Sequence, residues 1–329
     1  AGSLLATTAK HKMPSPVDSL KISKDVSLDE VVITHQVGKE TPVAYSDISK
    51  QELSSRNNGQ GIPFLISQSP SVIMTSDAGT GIGYSGFRIR GTDANRINIT
   101  INGVPVNDSE SHTVFWQYGR YSFLGRIDPD PTRRRNLYER SCGFCATVAM
   151  QTEKPSLNLT ANIPYQQVLS VAETYGKRRP PVLLYDHFAF DARYSNIRSD
   201  GFIDRASARM SSYYASAAFY ADNTLIKFQA FGNSEKTINM EGVPSYLLDT
   251  DRSYNPCGEY EEDGVKKFYN NQTDNYWQHN YHLMASQRIG DFWNMNLTLH
   301  YTDGNGYYED YKSKAKIQHY KTTGIYRSG

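Results

Sequence analysis

The chain has 329 residues and sets 35 Lys and Arg against 34 Asp and Glu, so a formal charge of +1 removes the basic footprint of a nucleic-acid binder. A mean hydropathy of −0.59, with no apolar run long enough for a membrane-spanning helix, is the ordinary signature of a soluble protein. It does not exclude a protein that crosses with alternating strands, which leave no trace on hydropathy. The 24 Tyr residues fit either the aromatic belts of such a protein or simply a β-rich chain.

Residues 1–27 are polar, carry Pro14 and Pro16, and read as a tail or the remnant of a preceding domain. The start AGSLLATTAK lacks the charged beginning and apolar core of a signal peptide, leaving two readings: a missing start, or a chain that is not exported. Leu28, Val31, Val32 and Ile33 then make a short β-prone run in polar flanks, suited either to adding a strand to another protein's sheet edge or to being the first strand of the domain. Ser49 and Glu52 have the spacing of a capping box opening a short helix, with Asn58-Gly59 as its stop. Pro63 suits the first turn of a second, apolar helix through Phe64, Leu65 and Ile66.

Val72 to Met74 is strand-like and leads into DAGTGIGYSG, where Gly81, Gly83 and Gly86 match a dinucleotide fingerprint. The fingerprint needs a helix next, and FRIRG alternates like a strand instead, so the glycines read as a flexible loop. G-Y-S-G-F is no nucleophile elbow either, because Phe87 stands where a glycine is required. Phe87 and Ile89 alternate with Arg88 and Arg90, and Ile97, Ile99 and Ile101 repeat the same period of two. Asn102-Gly103 then marks a tight turn.

From His187 the alternation is regular. Phe188, Phe190, Ala192 and Tyr194 share one face and Asp191, Arg193 and Ser195 the other; a strand near Arg209 to Ala221 turns at Asp222-Asn223 and returns as Leu225 to Phe231, where Ile226 and Phe228 oppose Lys227 and Gln229. A long polar stretch from Asn233 to Asn275 reads as loop. Beyond it come a strand from Trp277 to Ile289, a turn at Gly290-Asp291, and a strand whose Trp293, Met295, Leu297, Leu299 and Tyr301 oppose Asn294, Asn296, Thr298 and His300. Tyr307, Tyr308 and Tyr311 read as another polar loop. Minimal turns alternating with very long loops are the pattern of an outer-membrane barrel rather than of a soluble sandwich.

The wording IRG followed by NITINGVPVND, with LDEVVIT at 28–34 and the run SDISKQELSSRNNGQGIPFLISQSPSV at 46–72, resembles the TonB-dependent outer-membrane receptors, in a Bacteroidetes-like form. The resemblance implies a mostly β chain: an α+β plug domain followed by antiparallel transmembrane β-barrel strands, an incomplete barrel and therefore a fragment. The divisions expected are 28–155 for TonB box and plug, and 156–329 for the first wall strands. Leu28, Asp29, Glu30, Val31, Val32, Ile33 and Thr34 correspond to the TonB box, gripped by a TonB-type energy-transducing protein. Arg88, Arg90, Gly91, Asn102, Gly103 and Pro105 carry the plug motif. Energised uptake of a scarce extracellular ligand such as a siderophore or cobalamin, in the Gram-negative outer membrane and among its lipid, is the function implied. A SusC-like glycan importer and a secreted structural or adhesion β protein are the alternatives.

Nothing in the sequence points to an enzyme, a resident metal or another cofactor: there is no H-E-x-x-H, no P-loop and no Ser/His/Asp order. His279 and His282 offer a pair for a metal chelate or a plain rim pair. Two stretches interrupt the resemblance. Residues 117–145 are Arg-rich and read either as a basic patch or as a frameshift, since codons within the degeneracy of Pro131 to Phe144, read one nucleotide later, spell QRGVGTSTNGAAAF, which resembles the family's last plug segment. On that reading Cys142 and Cys145 form no redox or zinc pair. Residues 160–181 admit a similar reading as a damaged first barrel strand.

Overall fold

Two sheets of opposite polarity face each other. The computed structural model describes residues 46, 48–56, 59–108, 110–114, 116, 124–130, 146–152, 172–184, 187–238, 242–290 and 292–311. The segment 28–34 and most of the two interrupting stretches lie outside the described residues.

The first unit is α+β. Its elements in chain order are β1 (Ile48–Ser49), α1 (Lys50–Arg56), α2 (Ile62–Ile66), β2 (Val72–Ser76), β3 (Ser85–Ile89), β4 (Ile97–Ile101), β5 (Val104–Pro105), β6 (Leu124–Asp130) and β7 (Ala146–Thr152). The capping box forms as the spacing predicts: the Ser49 backbone N–H donates to Glu52 Oε2 at 3.0 Å and the Glu52 N–H returns to Ser49 Oγ at 3.4 Å. These bonds to Ser49 hold the Glu52 carboxyl below the usual carboxylate range. Pro63 sits in the first turn of α2, where its missing N–H costs nothing.

A five-stranded sheet runs β1-β6-β7-β4-β5, with β4 and β7 parallel, and β2 and β3 form a separate hairpin. Strand β4, between β7 and β5, is buried on both faces, Ile97, Ile99 and Ile101 on one and Asn98 and Thr100 on the other. Each fully buried Ile is worth about 1.5–3 kcal/mol over an exposed one. The core these residues form also contains Tyr214 and Phe231, which belong to the second sheet.

That second sheet is an antiparallel meander of β8 (Ala172–Leu184), β9 (Phe188–Ser199), β10 (Ala208–Ala221), β11 (Thr224–Ile238), a small hairpin of β12 (Glu259–Glu262) and β13 (Val265–Phe268) held in a long loop, β14 (Thr273–Ile289) and β15 (Trp293–Tyr308). Six of these strands pair in the order β15-β14-β11-β10-β9-β8. The β8–β9 register slips between Arg179 and Val182, where Pro180 and Pro181 have no N–H to give the ladder.

Polarity here is inverted. On β11 Phe228 is 45% exposed, whereas its neighbours Lys227 and Gln229 are 1% and 0% exposed and face the first unit. The same division runs through β9, where Phe188, Phe190 and Tyr194 face out and Asp191, Arg193 and Ser195 are buried. A soluble sandwich, including the secreted adhesion reading, needs the reverse. Barrel walls put the apolar face toward acyl chains and the polar face toward the lumen.

The expected loops at Asn233 to Asn275 and at Tyr307 and Tyr308 are shorter than read, because β11 runs on to Ile238, β14 begins at Thr273 and β15 reaches Tyr308. Past the apolar layer both faces are polar, so the alternation vanishes while the hydrogen-bond ladder continues.

Candidate plug–wall interface

The first unit touches the wall at two levels, one toward the short turns of the wall and one toward its long loops.

At the short-turn level the contact is made by the β4–β5 hairpin. Ile101 pairs with Val104 around Asn102 and Gly103, whose φ values of +52° and +80° are those of a two-residue type I′ turn. Asn tolerates this backbone better than most residues, and its side chain is then free to bond outward. Asn102 Oδ1 accepts the Thr152 N–H at 2.9 Å; Asn102 Nδ2 donates to Thr152 Oγ1 and to Gln229 Oε1, both at 2.9 Å. Thr152 Oγ1 also receives Lys227 Nζ at 3.1 Å and Gln229 Nε2 at 2.8 Å, and Gln229 Nε2 reaches Tyr214 Oη at 2.7 Å. Every member of this group is buried. Between buried groups such bonds are strong, and breaking one leaves an orphan.

At the long-loop level the contact is the glycine loop between β2 and β3, expected to be flexible. It is fastened on both sides. Within its own unit, the Gly61 N–H donates to the Gly81 carbonyl at 3.0 Å and the Asp77 N–H to the Tyr84 carbonyl at 3.0 Å. Against the wall, Tyr84 Oη donates to Asp274 Oδ2 at 2.5 Å, and the Phe202 N–H to the Ala78 carbonyl at 2.8 Å. Ile82 packs with Ile197, Ala208 and Met210. Gly83 is required here: its φ is +89° and a Cβ would stand 3.2 Å from the Ala208 Cβ. Burial, then the hydrogen bond to Asp274 and the nearby Glu235 and Asp77 carboxylates, push the Tyr84 hydroxyl above its ordinary range.

Of the residues expected to carry the plug motif, only Asn102 reaches the wall. Arg88 is exposed and pairs with Asp93 at 2.9 Å; Arg90 and Gly91 turn the chain at φ +53° and +76°; Gly103 completes the hairpin and Pro105 is exposed on β5. Of the partners at this interface, Lys227 and Gln229 carry a signal in the sequence, their shared polar parity on β11, whereas Thr152, Tyr214, Tyr84 and Asp274 carry none.

His279 and His282 cannot share an ion, because three residues apart on a strand they point to opposite faces. His282 is buried on the lumen side, its ring 5.0 Å from Phe231, while His279 faces out and its Nδ1 lies 2.9 Å from Tyr213 Oη. Between Tyr213 and His279 the cross-strand position is Gly232, where a Cβ would come 2.7 Å from the Tyr213 ring. Among the described residues no cluster of His, Cys, Asp and Glu could hold a metal ion.

Residues 38–135 match the TonB-dependent receptor plug domain family. This stretch carries the family's plug domain, and the strands after it share the fold of the walls of TonB-dependent receptors. It is similar in structure to the siderophore receptor PirA of Pseudomonas aeruginosa, with 16% identity and a TM-score of 0.56 over 82% of this chain and 41% of that one. It is similar also to the ferric citrate transporter FecA in its unliganded form, with 15% identity and a TM-score of 0.62 over 83% and 42%. The ferric-catecholate import receptor Fiu of E. coli K12 aligns at 13% identity with a TM-score of 0.57 over 81% and 39%. The chain thus spans about two fifths of the length of these receptors. No curated protein sequence matches it.

Proposed function

We propose that this chain supplies the plug and wall strands of a Gram-negative outer-membrane importer that takes up a scarce ligand such as a siderophore or cobalamin from the long-loop side. The observation that carries the reading is a plug packed on the polar face of a wall whose other face is apolar. The names of the neighbours, a siderophore receptor and a ferric citrate transporter, support the ligand class.

In this reading residues 1–27 are a leading tail, 28–155 hold the TonB box and plug, and the wall begins after 156. A TonB-type protein grips Leu28 to Thr34, a stretch able to add a strand to a partner's sheet. Force then enters at β1, an edge strand of the plug sheet joined to β6 by two residue pairs, Ile48 with Ile127 and Ser49 with Arg126. The opposite edge is tied to the wall through Asn102. A pull therefore peels the sheet from its weak edge while the strong edge holds, opening a passage without ejecting the plug. Hydrogen bonds stripped one after another need far less force than a sheet sheared all at once.

The test is uptake by cells whose only such receptor carries this chain, using radiolabelled ferric siderophores and cobalamin. Deleting residues 28–34 is expected to abolish accumulation and leave surface binding intact. Accumulation unaffected by the deletion defeats the coupling, and absence of surface binding for the whole panel defeats the ligand class.

A further inference from the structure

The outward face of the wall is graded along the strand direction. Its apolar level contains Phe190, Phe228, Leu283 and Leu299, which are cross-strand neighbours of one another or of Ala217. Toward the long loops the next aromatic level is Tyr194, Tyr213, Gly232 and His279, and above it stand Asn196, Ser211, Ser234 and Trp277. The level beyond is Arg198 opposite Arg209 opposite Lys236. All three cations are exposed.

Like charges placed directly opposite on a sheet face, with Cβ atoms about 5 Å apart, repel and destabilise it. Within this row the Arg209–Lys236 pair has no acid in register beside it, its flanking positions being Arg198 and Asn275. None of the three forms a salt bridge there, and the one hydrogen bond is from Lys236 Nζ to Asn271 Oδ1 at 3.5 Å. Of the nearby acids, Glu235 and Asp274 lie on the lumen face, and Asp303 is opposite His279, two levels below. On β8 the register position directly opposite Arg198 is Glu173.

Height along the membrane normal selects the partner. Four residues separate Tyr213 from Arg209, which at ~3.4 Å each and a strand tilt of ~40° is about 10 Å. With aromatic rings at the edge of the hydrocarbon, the cations stand at headgroup level.

We propose that Arg198, Arg209 and Lys236 bind the phosphate of a phosphorylated glycolipid in the outer leaflet, with Asn196, Ser211 and Ser234 bonding to its sugar. The continuity of the row with the lipid-facing band favours a lipid over a soluble anion. Three converging donors neutralise a phosphate and end the repulsion between the strands. The proposal rests on the outward face meeting lipid, as in the importer reading.

The test reconstitutes the protein into phosphatidylcholine vesicles containing either bisphosphorylated lipid A or its phosphate-free counterpart, then extracts it in mild detergent and weighs bound lipid by native mass spectrometry. Wild type is expected to retain the phosphorylated lipid and not the phosphate-free one. The triple variant Arg198→Gln, Arg209→Gln, Lys236→Gln should lose affinity by on the order of a hundredfold, about fivefold per cation. Arg288→Gln, at the short-turn end, should retain the lipid. Equal retention of both lipids, unchanged retention by the triple variant, or displacement by inorganic phosphate overturns the proposal. Should the triple variant not fold, Arg209→Gln alone must show the fivefold loss. Failure of the wild type to float with the vesicles overturns the membrane reading and the site with it, whereas flotation with unchanged retention overturns the site alone.

Discussion

Replacing Asn102 by Ala tests whether the β4–β5 turn ties plug to wall. Three costs add. Ala at φ +52° strains the turn by about 1 kcal/mol relative to Asn, and the Thr152 N–H and Gln229 Oε1 each lose a buried partner at about 1–3 kcal/mol. The sum, about 3–7 kcal/mol, is a large part of the stability of an ordinary domain. Asn102→Gly accepts the backbone and should cost about 1 kcal/mol less. The reporter is Trp116, which is 4% exposed with its ring 5.4 Å from Phe87 in the plug core; Trp277→Phe and Trp293→Phe make it the sole tryptophan. Urea titration of its fluorescence reads plug unfolding. Losses below about 1 kcal/mol in both variants, the size of an ordinary surface change, would refute the reasoning. A double-mutant cycle with Thr152→Val should show coupling, since Asn102 and Thr152 share two hydrogen bonds.

On the lipid side, Phe228→Arg should cost about 2–4 kcal/mol of wall stability in phosphatidylcholine vesicles, measured by urea titration, although the adjacent inward position already carries Lys227. Gly83→Ala should cost about 1–3 kcal/mol by the same plug fluorescence assay. Gly91→Ala, also at positive φ but with nothing within 4 Å of its added Cβ, should cost less, and equal losses would mean that the Ala208 contact does not matter. Tyr84→Phe should cost about 1.5–3 kcal/mol at pH 8. Because the folded hydroxyl titrates above its ordinary value of about 10, the wild-type advantage is full below that pH and fades as pH rises toward the folded value. Stability curves of both proteins from pH 8 to 11 check this, and a gap that widens with alkali contradicts it.

Periodicity of two made most of this architecture legible. Ile97, Ile99 and Ile101 announced a buried strand, Asn102-Gly103 its turn, and Phe228 beside Lys227 a two-faced wall. The sequence could say that Lys227 and Gln229 share a side, but not that this side is covered by Thr152, which lies 75 residues from Lys227. The same holds for Tyr84 and Asp274, 190 residues apart, neither of which carries a local signal. Ser234 and Lys236 were hidden for a different reason: a strand wet on both faces has no hydrophobic period to read. Parity corrected the histidines, since an odd spacing of three sends His279 and His282 to opposite sides.

Tyr214 and Phe231 are wall residues that complete the plug's apolar centre. Maturation therefore has an order. The centre of the first unit stays open on one side until β10 and β11 bring these two rings to it, so pairing of the wall strands precedes its final closure.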